Sequence, residues 1–108
     1  MNSIGIREQD MERAQSLFSA LLEWTGGPEG VTRLAFSKEE ETAFGILEAK
    51  ARELGLETGR DAAGGLVMTL QGTDPHLPCI AIGPHLDSVR QGGNLDGAAG
   101  VGAALLAL

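Results

Sequence analysis

An imidazole and two carboxylates stand close together late in this chain, within Gly83-Pro84-His85-Leu86-Asp87-Ser88-Val89 and Gly92-Gly93-Asn94-Leu95-Asp96-Gly97. A neutral imidazole is the commonest metal ligand near neutral pH. A carboxylate two residues on can reach the second ring nitrogen, fix the tautomer and make the ligating nitrogen more basic. His85 is therefore a candidate metal ligand, and Asp87 the catalytic candidate that supports it. Asp96 precedes a predicted helix, whose N-terminal dipole favours an anion. Its two oxygens can bind two cations at once, as two-metal hydrolytic sites require. Glycines at 92, 93 and 97 let the backbone pass close to an ion or ligand. The same residues have plainer readings: a histidine satisfied at a strand end, an acid capping a helix, and a simple turn.

Other chemically suggestive residues carry less. His76, between Asp74-Pro75 and Leu77-Pro78, reads as a surface loop residue. Cys79 opens an apolar run and behaves as a small hydrophobe, with no base or positive charge beside it in sequence. Ser88 lacks the flanking glycines of a nucleophile elbow. Gly97-Ala98-Ala99-Gly100 is followed by no Lys-Ser/Thr pair, so it is not a phosphate loop.

The elements that must position the site follow from periodicity. Met11, Ala14, Leu17, Phe18, Leu21 and Leu22 recur at steps of three and four, predicting a helix over residues 7–24 that Gly26-Gly27-Pro28 ends. Ser37 with Glu40 is a capping-box signature. It opens a second predicted helix over 38–54, with the stripe Phe44, Leu47, Ala51 and Leu54 and a stop at Gly55. Residues 56–60 and 66–70 read as strands joined by the turn Asp61-Ala62-Ala63-Gly64-Gly65. Cys79-Ile80-Ala81-Ile82-Gly83 is an unbroken apolar run, as expected of a strand buried on both faces. His85 and Asp87 then sit past its carboxyl end, where open α/β sheets bind ligands. The last helix, residues 98–108, has no polar residue, which predicts burial on nearly every side. The elements before it are too few to enclose it. The expectation is an N-terminal portion of a longer chain, truncated after a core helix; cover by a second copy ranks lower, because such interfaces keep a polar rim.

Composition narrows the function classes. The chain has 108 residues, near one domain's worth. Its net charge is −7, which argues against nucleic acid or an anionic membrane as partner. One cysteine allows no internal disulfide or multi-cysteine zinc knuckle. No apolar stretch approaches the ~20 residues that span a bilayer. The polar start, with Arg7, Glu8, Asp10 and Glu12, is unlike a secretory leader. A cytoplasmic α/β protein is expected.

The run G-P-H-L-D-S-V-R-Q-G-G-N-L-D-G-A-A-G-V resembles the first metal-binding signature of the hydantoinase/carbamoylase family of amidohydrolases. That family is a branch of the zinc-dependent aminoacylase and carboxypeptidase superfamily. Gly30-Val31-Thr32-Arg33-Leu34-Ala35-Phe36-Ser37 is similar to its early G-V-T-R-L stretch, and Asp61-Ala62-Ala63-Gly64-Gly65-Leu66 to its D-x-x-G-N-L hairpin, so the match spans roughly residues 30–104 in family order. The resemblance implies a zinc-exopeptidase-like mixed sheet flanked by helices, with residues 1–108 the N-terminal portion of the catalytic domain. It implies His85 as the first ligating histidine, Asp87 as its supporting carboxylate and Asp96 as a ligand bridging two divalent ions, whether zinc, manganese, cobalt or nickel. The substrate class it implies is a ureido or N-carbamoyl compound, and the parent enzyme a homodimer. The family's catalytic Glu, its remaining ligands and its smaller dimerisation domain have no counterpart here, which leaves this chain inactive alone. Pro84 replaces the usual Ser and Gly65 the usual Asn. Arg33 matches a family arginine for which a structural salt bridge is the expectation. Two further readings stay open: a non-catalytic product with weak single-metal binding, and a parent that is a dipeptidase or aminoacylase.

Overall fold

A computed structural model describes residues 5–108; the first four residues of the polar start lie outside them. The elements run α1 (Glu8–Thr25), β1 (Gly26–Gly27), β2 (Gly30–Val31), α2 (Lys38–Glu53), β3 (Glu57–Arg60), β4 (Leu66–Thr69) and α3 (Ala98–Ala107). The α/β class holds. Each pair of strands forms its own antiparallel ribbon, β1 with β2 and β3 with β4.

Helix boundaries follow local chemistry. At the start of α1, the Asp10 carboxylate accepts from the backbone N–H of Arg7 at 3.2 Å and from its Nε at 2.9 Å. At α2, the Ser37 hydroxyl accepts from the Glu40 N–H at 3.2 Å. The Glu40 carboxylate reaches one residue beyond the cap, to the Phe36 N–H at 2.6 Å. Three acids in this first turn also suit the helix dipole. Gly55 ends α2 in a left-handed conformation at φ +80. Its N–H donates to the Arg52 carbonyl, and the next N–H, of Leu56, reaches back to Ala51 at 2.9 Å. That pair of bonds is a Schellman closure.

The β3–β4 hairpin turns where expected, because Asp61 Oδ1 accepts from the N–H groups of Ala63 and Gly65. Arg60 ties the hairpin to α2. Its guanidinium pairs with Glu41 at 2.8 Å and Glu48 at 3.0 Å, and lies 4.6 Å from the centre of the Phe44 ring.

The core joins the three helices. Leu17 and Leu21 of α1, Ala43, Leu47 and Ala51 of α2, and Ala98, Val101 and Leu105 of α3 are buried with Leu56 and Leu86. The buried stripe of α1 is narrower than predicted, since Met11 and Leu22 are exposed. On α2, Ala43 joins the stripe, while Phe44 and Leu54 are half-buried. At the α1–α3 crossing, a Cβ on Gly102 would sit 2.9 Å from the Phe18 ring, so the missing side chain permits the close approach.

Two expectations fail. Residues 79–83 form no strand, and Ile80 is 95% exposed. Cys79 is likewise exposed instead of opening a buried strand. A strand buried on both faces needs ladder partners and a covering layer on each side, and the described residues supply neither. The last helix is covered on one face only, through Ala98, Val101, Gly102 and Leu105, while Ala99, Gly100 and Ala103 face outward. No described helix is long and apolar enough to cross a membrane.

Replacing Ser37 by Ala leaves the Glu40 N–H without its cap acceptor. Urea unfolding followed by circular dichroism should show a loss of about 1 kcal/mol with an unchanged m-value.

Candidate metal centre

The segment that bears His85 and Asp87 is held by the stretch after β1. Val31 and Gly92 exchange two backbone hydrogen bonds, each 2.8 Å. The Ser88 N–H donates to the Arg33 carbonyl at 2.7 Å, and the Arg33 N–H donates to Ser88 Oγ at 2.9 Å. Gln91 N–H reaches Thr32 Oγ1 at 2.9 Å. Residues 85–88 alternate as an extended chain does: Leu86 and Ser88 are buried, while His85 and Asp87 face outward.

Arg33 is wholly buried, with 0% exposure. Its Nε donates to the Leu86 carbonyl at 2.7 Å and its Nη1 to Thr25 Oγ1 at 2.9 Å. Its Nη2 has no partner. The expected salt bridge is therefore absent among the described residues, and the guanidinium spends its donors on a carbonyl and a hydroxyl. Burial pulls its pKa below the ordinary arginine value, opposed by the charges of Asp87 and Glu40. Thr25 was invisible to sequence reasoning as a site-supporting residue, and no spacing signal marks it. Ser88 is no nucleophile; it is a buried splice between two segments.

His85 and Asp87 meet as their spacing predicts. His85 Nδ1 lies 3.2 Å from Asp87 Oδ1 and 3.1 Å from the Asp87 carbonyl oxygen. Both partners can only accept, so Nδ1 must carry the proton in the neutral ring. Nε2 is then left with the lone pair that a metal requires. The His85 side chain is 58% exposed and that of Asp87 40%.

Asp96 reaches the same region through its neighbour. Gly97 packs against the His85 ring so tightly that a Cβ there would overlap Cε1, Nδ1 and the His85 carbonyl oxygen. Gly97 also has φ +70, a conformation other residues adopt at a cost. It is the N-cap of α3, so the capping reading of Asp96 does not hold: the helix carries no side-chain cap bond. Only the Asp96 carbonyl is used, accepting from the Ala98 N–H at 2.8 Å. Its side chain is exposed. His76 is a loop residue as expected, its N–H held by Asp74 Oδ1.

A cleft of about 270 Å³ adjoins the imidazole. Phe44, Leu66, Met68 and Val101 give it apolar walls, and Glu40, His85 and Asp87 its polar groups.

These donors suit a divalent ion in kind. An imidazole with a fixed tautomer and a carboxylate free of internal bonds are ordinary ligands for zinc and its neighbours. In number they fall short of a catalytic site, for which three protein ligands are usual. No group of three or more His, Cys, Asp or Glu side chains gathers among the described residues.

No family model matches the chain. Curated proteins do. It is 39% identical over 100 residues to the N-carbamoyl-L-amino-acid amidohydrolase of Paenarthrobacter aurescens, covering 93% of this chain and 24% of that protein. It is 46% identical over 72 residues to the N-carbamoyl-L-amino acid amidohydrolase of Geobacillus stearothermophilus, covering 67% of this chain and 18% of that protein. With the allantoate amidohydrolase of Bacillus subtilis the identity is 43% over 79 residues, covering 73% and 19%. This chain belongs to the carbamoylase and allantoate amidohydrolase family. It spans about a fifth to a quarter of the length of these curated relatives.

Gly97→Ala tests the packing of this amidohydrolase segment. The substitution should cost about 1–3 kcal/mol in urea unfolding. It should also move the His85 ring resonances in a carbon–proton NMR spectrum, with the hairpin resonances unchanged.

Proposed function

We propose that this chain carries the first metal-ligating segment of an amidohydrolase that cleaves a linear C–N bond in a ureido or N-carbamoyl group. One observation supports this most: His85 Nδ1 faces two acceptors, which leaves Nε2 as the lone-pair nitrogen. The names of the curated relatives supply the substrate class.

In this reading His85 and Asp96 would hold divalent metal, and Asp87 orients the imidazole. Held there, divalent ions would supply Lewis acidity toward the scissile carbonyl and the attacking water. The chain's own residues prepare for that chemistry. Asp87 holds the Nδ1 proton and raises the basicity of Nε2. Gly97 keeps the ring's flank clear of a side chain. The segment is the N-terminal portion of a catalytic domain, and the general base with the remaining ligands belongs to the part of the family's length it does not span.

The test uses a protein of the relatives' full length that carries this segment. It should hydrolyse N-carbamoyl-L-amino acids or allantoate, and a chelator should abolish turnover. Asp87→Asn should lower kcat/KM by about 10–100-fold, and His85→Ala or Asp96→Ala by more than that. Equal, small effects at all three positions would reject the assignment.

A second expectation follows from the donor count. With no cluster of three ligating side chains among the described residues, the 108-residue chain by itself should give no metal-dependent hydrolysis of either substrate. Measurable turnover by the purified chain would contradict the reading.

A further inference from the structure

Arg33 poses a physical problem. A buried guanidinium without a carboxylate partner forfeits hydration that neutral acceptors replace only in part. One of its nitrogens, Nη2, has no partner at all. An apolar side chain at this position would fill the space at lower cost. The three helices already share a core of leucine, alanine and valine that does not involve Arg33.

Its bonds run to one place. The Arg33 Nε meets the carbonyl of Leu86, the residue between His85 and Asp87, at 2.7 Å. Its backbone N–H and carbonyl both go to Ser88. The guanidinium is itself steadied by Thr25 at the end of α1. Anchoring the Leu86 carbonyl fixes the Leu86–Asp87 peptide plane, and the Ser88 N–H bond to the Arg33 carbonyl fixes the Asp87–Ser88 plane. Those planes flank Asp87 and set the direction of its side chain, which leaves the extended chain on the same side as that of His85. The 3.2 Å approach of Asp87 to Nδ1 is then held from the Asp87 side, by a backbone anchored on both of its peptide planes.

We infer that Arg33 is a positioning residue for the candidate ligand: its grip on the Leu86 carbonyl holds His85 and Asp87 in register and thereby selects the Nδ1–H tautomer. Its value to catalysis rests on the ligand reading of His85 given above. The inference itself concerns the metal-free chain. An unconstrained neutral imidazole favours the opposite tautomer, with the proton on Nε2, so the selection is observable.

The experiment is long-range nitrogen–proton NMR of the His85 ring in the 108-residue chain without metal. It is run at about pH 8.5, above the ordinary imidazole range. The wild-type ring should show a protonated Nδ1. In Arg33→Met the Nε2–H form should become the major one, and the Ser88 amide should exchange faster with solvent. Leu47→Ala supplies the control: it empties part of the core at a cost of about 2–5 kcal/mol yet should leave the ring's tautomer as in wild type. If Arg33→Met does not fold, Arg33→Lys is read instead. Its ammonium lacks the planar fork that aims separate nitrogens at the Leu86 carbonyl and Thr25 Oγ1, so it should lose part of the Nδ1–H form. A wild-type tautomer in a folded Arg33 variant, or an equal change in Leu47→Ala, overturns the inference. Zinc added to the wild-type chain tests the ligand reading separately, because the tautomer is measured with no metal present.

Discussion

A positive charge with nowhere to ionise against organises this chain. Arg33 lies wholly buried between the end of α1 and the segment of residues 86–88, bonded to a threonine hydroxyl and a main-chain carbonyl. Neutral acceptors cannot return what hydration gave the guanidinium, and burial lowers its pKa for that reason. What they do give is direction. A guanidinium is a planar fork with donors at fixed angles, so holding two of its nitrogens leaves the third little freedom. The Leu86 carbonyl is consequently held by a donor of fixed direction within the stretch that carries the candidate site.

The second constraint acts from the opposite side. α3 begins with its N-cap glycine pressed on the His85 ring. The helix is steered into place by its other end, where Gly102 lies against Phe18 and Leu105 enters the core. One apolar helix thus sets Gly97, the residue next to Asp96, against the imidazole. No hydrogen bond from the Asp96 side chain is needed for this. That leaves both its oxygens for another partner, which a capping aspartate would not have.

Features settled within a few residues were legible from the sequence. The Ser37–Glu40 cap, the Gly55 stop, the Asp61 turn and the His85–Asp87 contact all formed as expected. Each depends on side chains reaching backbone or a neighbour nearby, so residue type and spacing suffice. The failures are features that depend on what lies across the fold. The apolar run 79–83 signals burial, but burial is a property of neighbours, and no described residue pairs with it. Arg33 was expected in a salt bridge because charge invites an opposite charge. Its true acceptors, a carbonyl and Thr25, are groups that sequence does not advertise. The family resemblance located Arg33 and Asp96; their surroundings came only from three dimensions.

The histidine geometry bears on how such a site can be preorganised. A ligand that must first choose a tautomer and a rotamer pays for that choice when the ion arrives, and affinity falls accordingly. Here the choice is made by the groups packed around the ring. Asp87 and its carbonyl crowd Nδ1, Arg33 holds the peptide between them, and Gly97 bounds the ring's flank. None of these contacts uses the lone pair on Nε2. The nitrogen proposed to coordinate is therefore left out of the network that fixes the ring, and the ring can keep its orientation with no ion present. In the proposed reading, a segment spanning about a fifth to a quarter of its relatives' length can in this way hold its own share of the geometry before any other donor joins it.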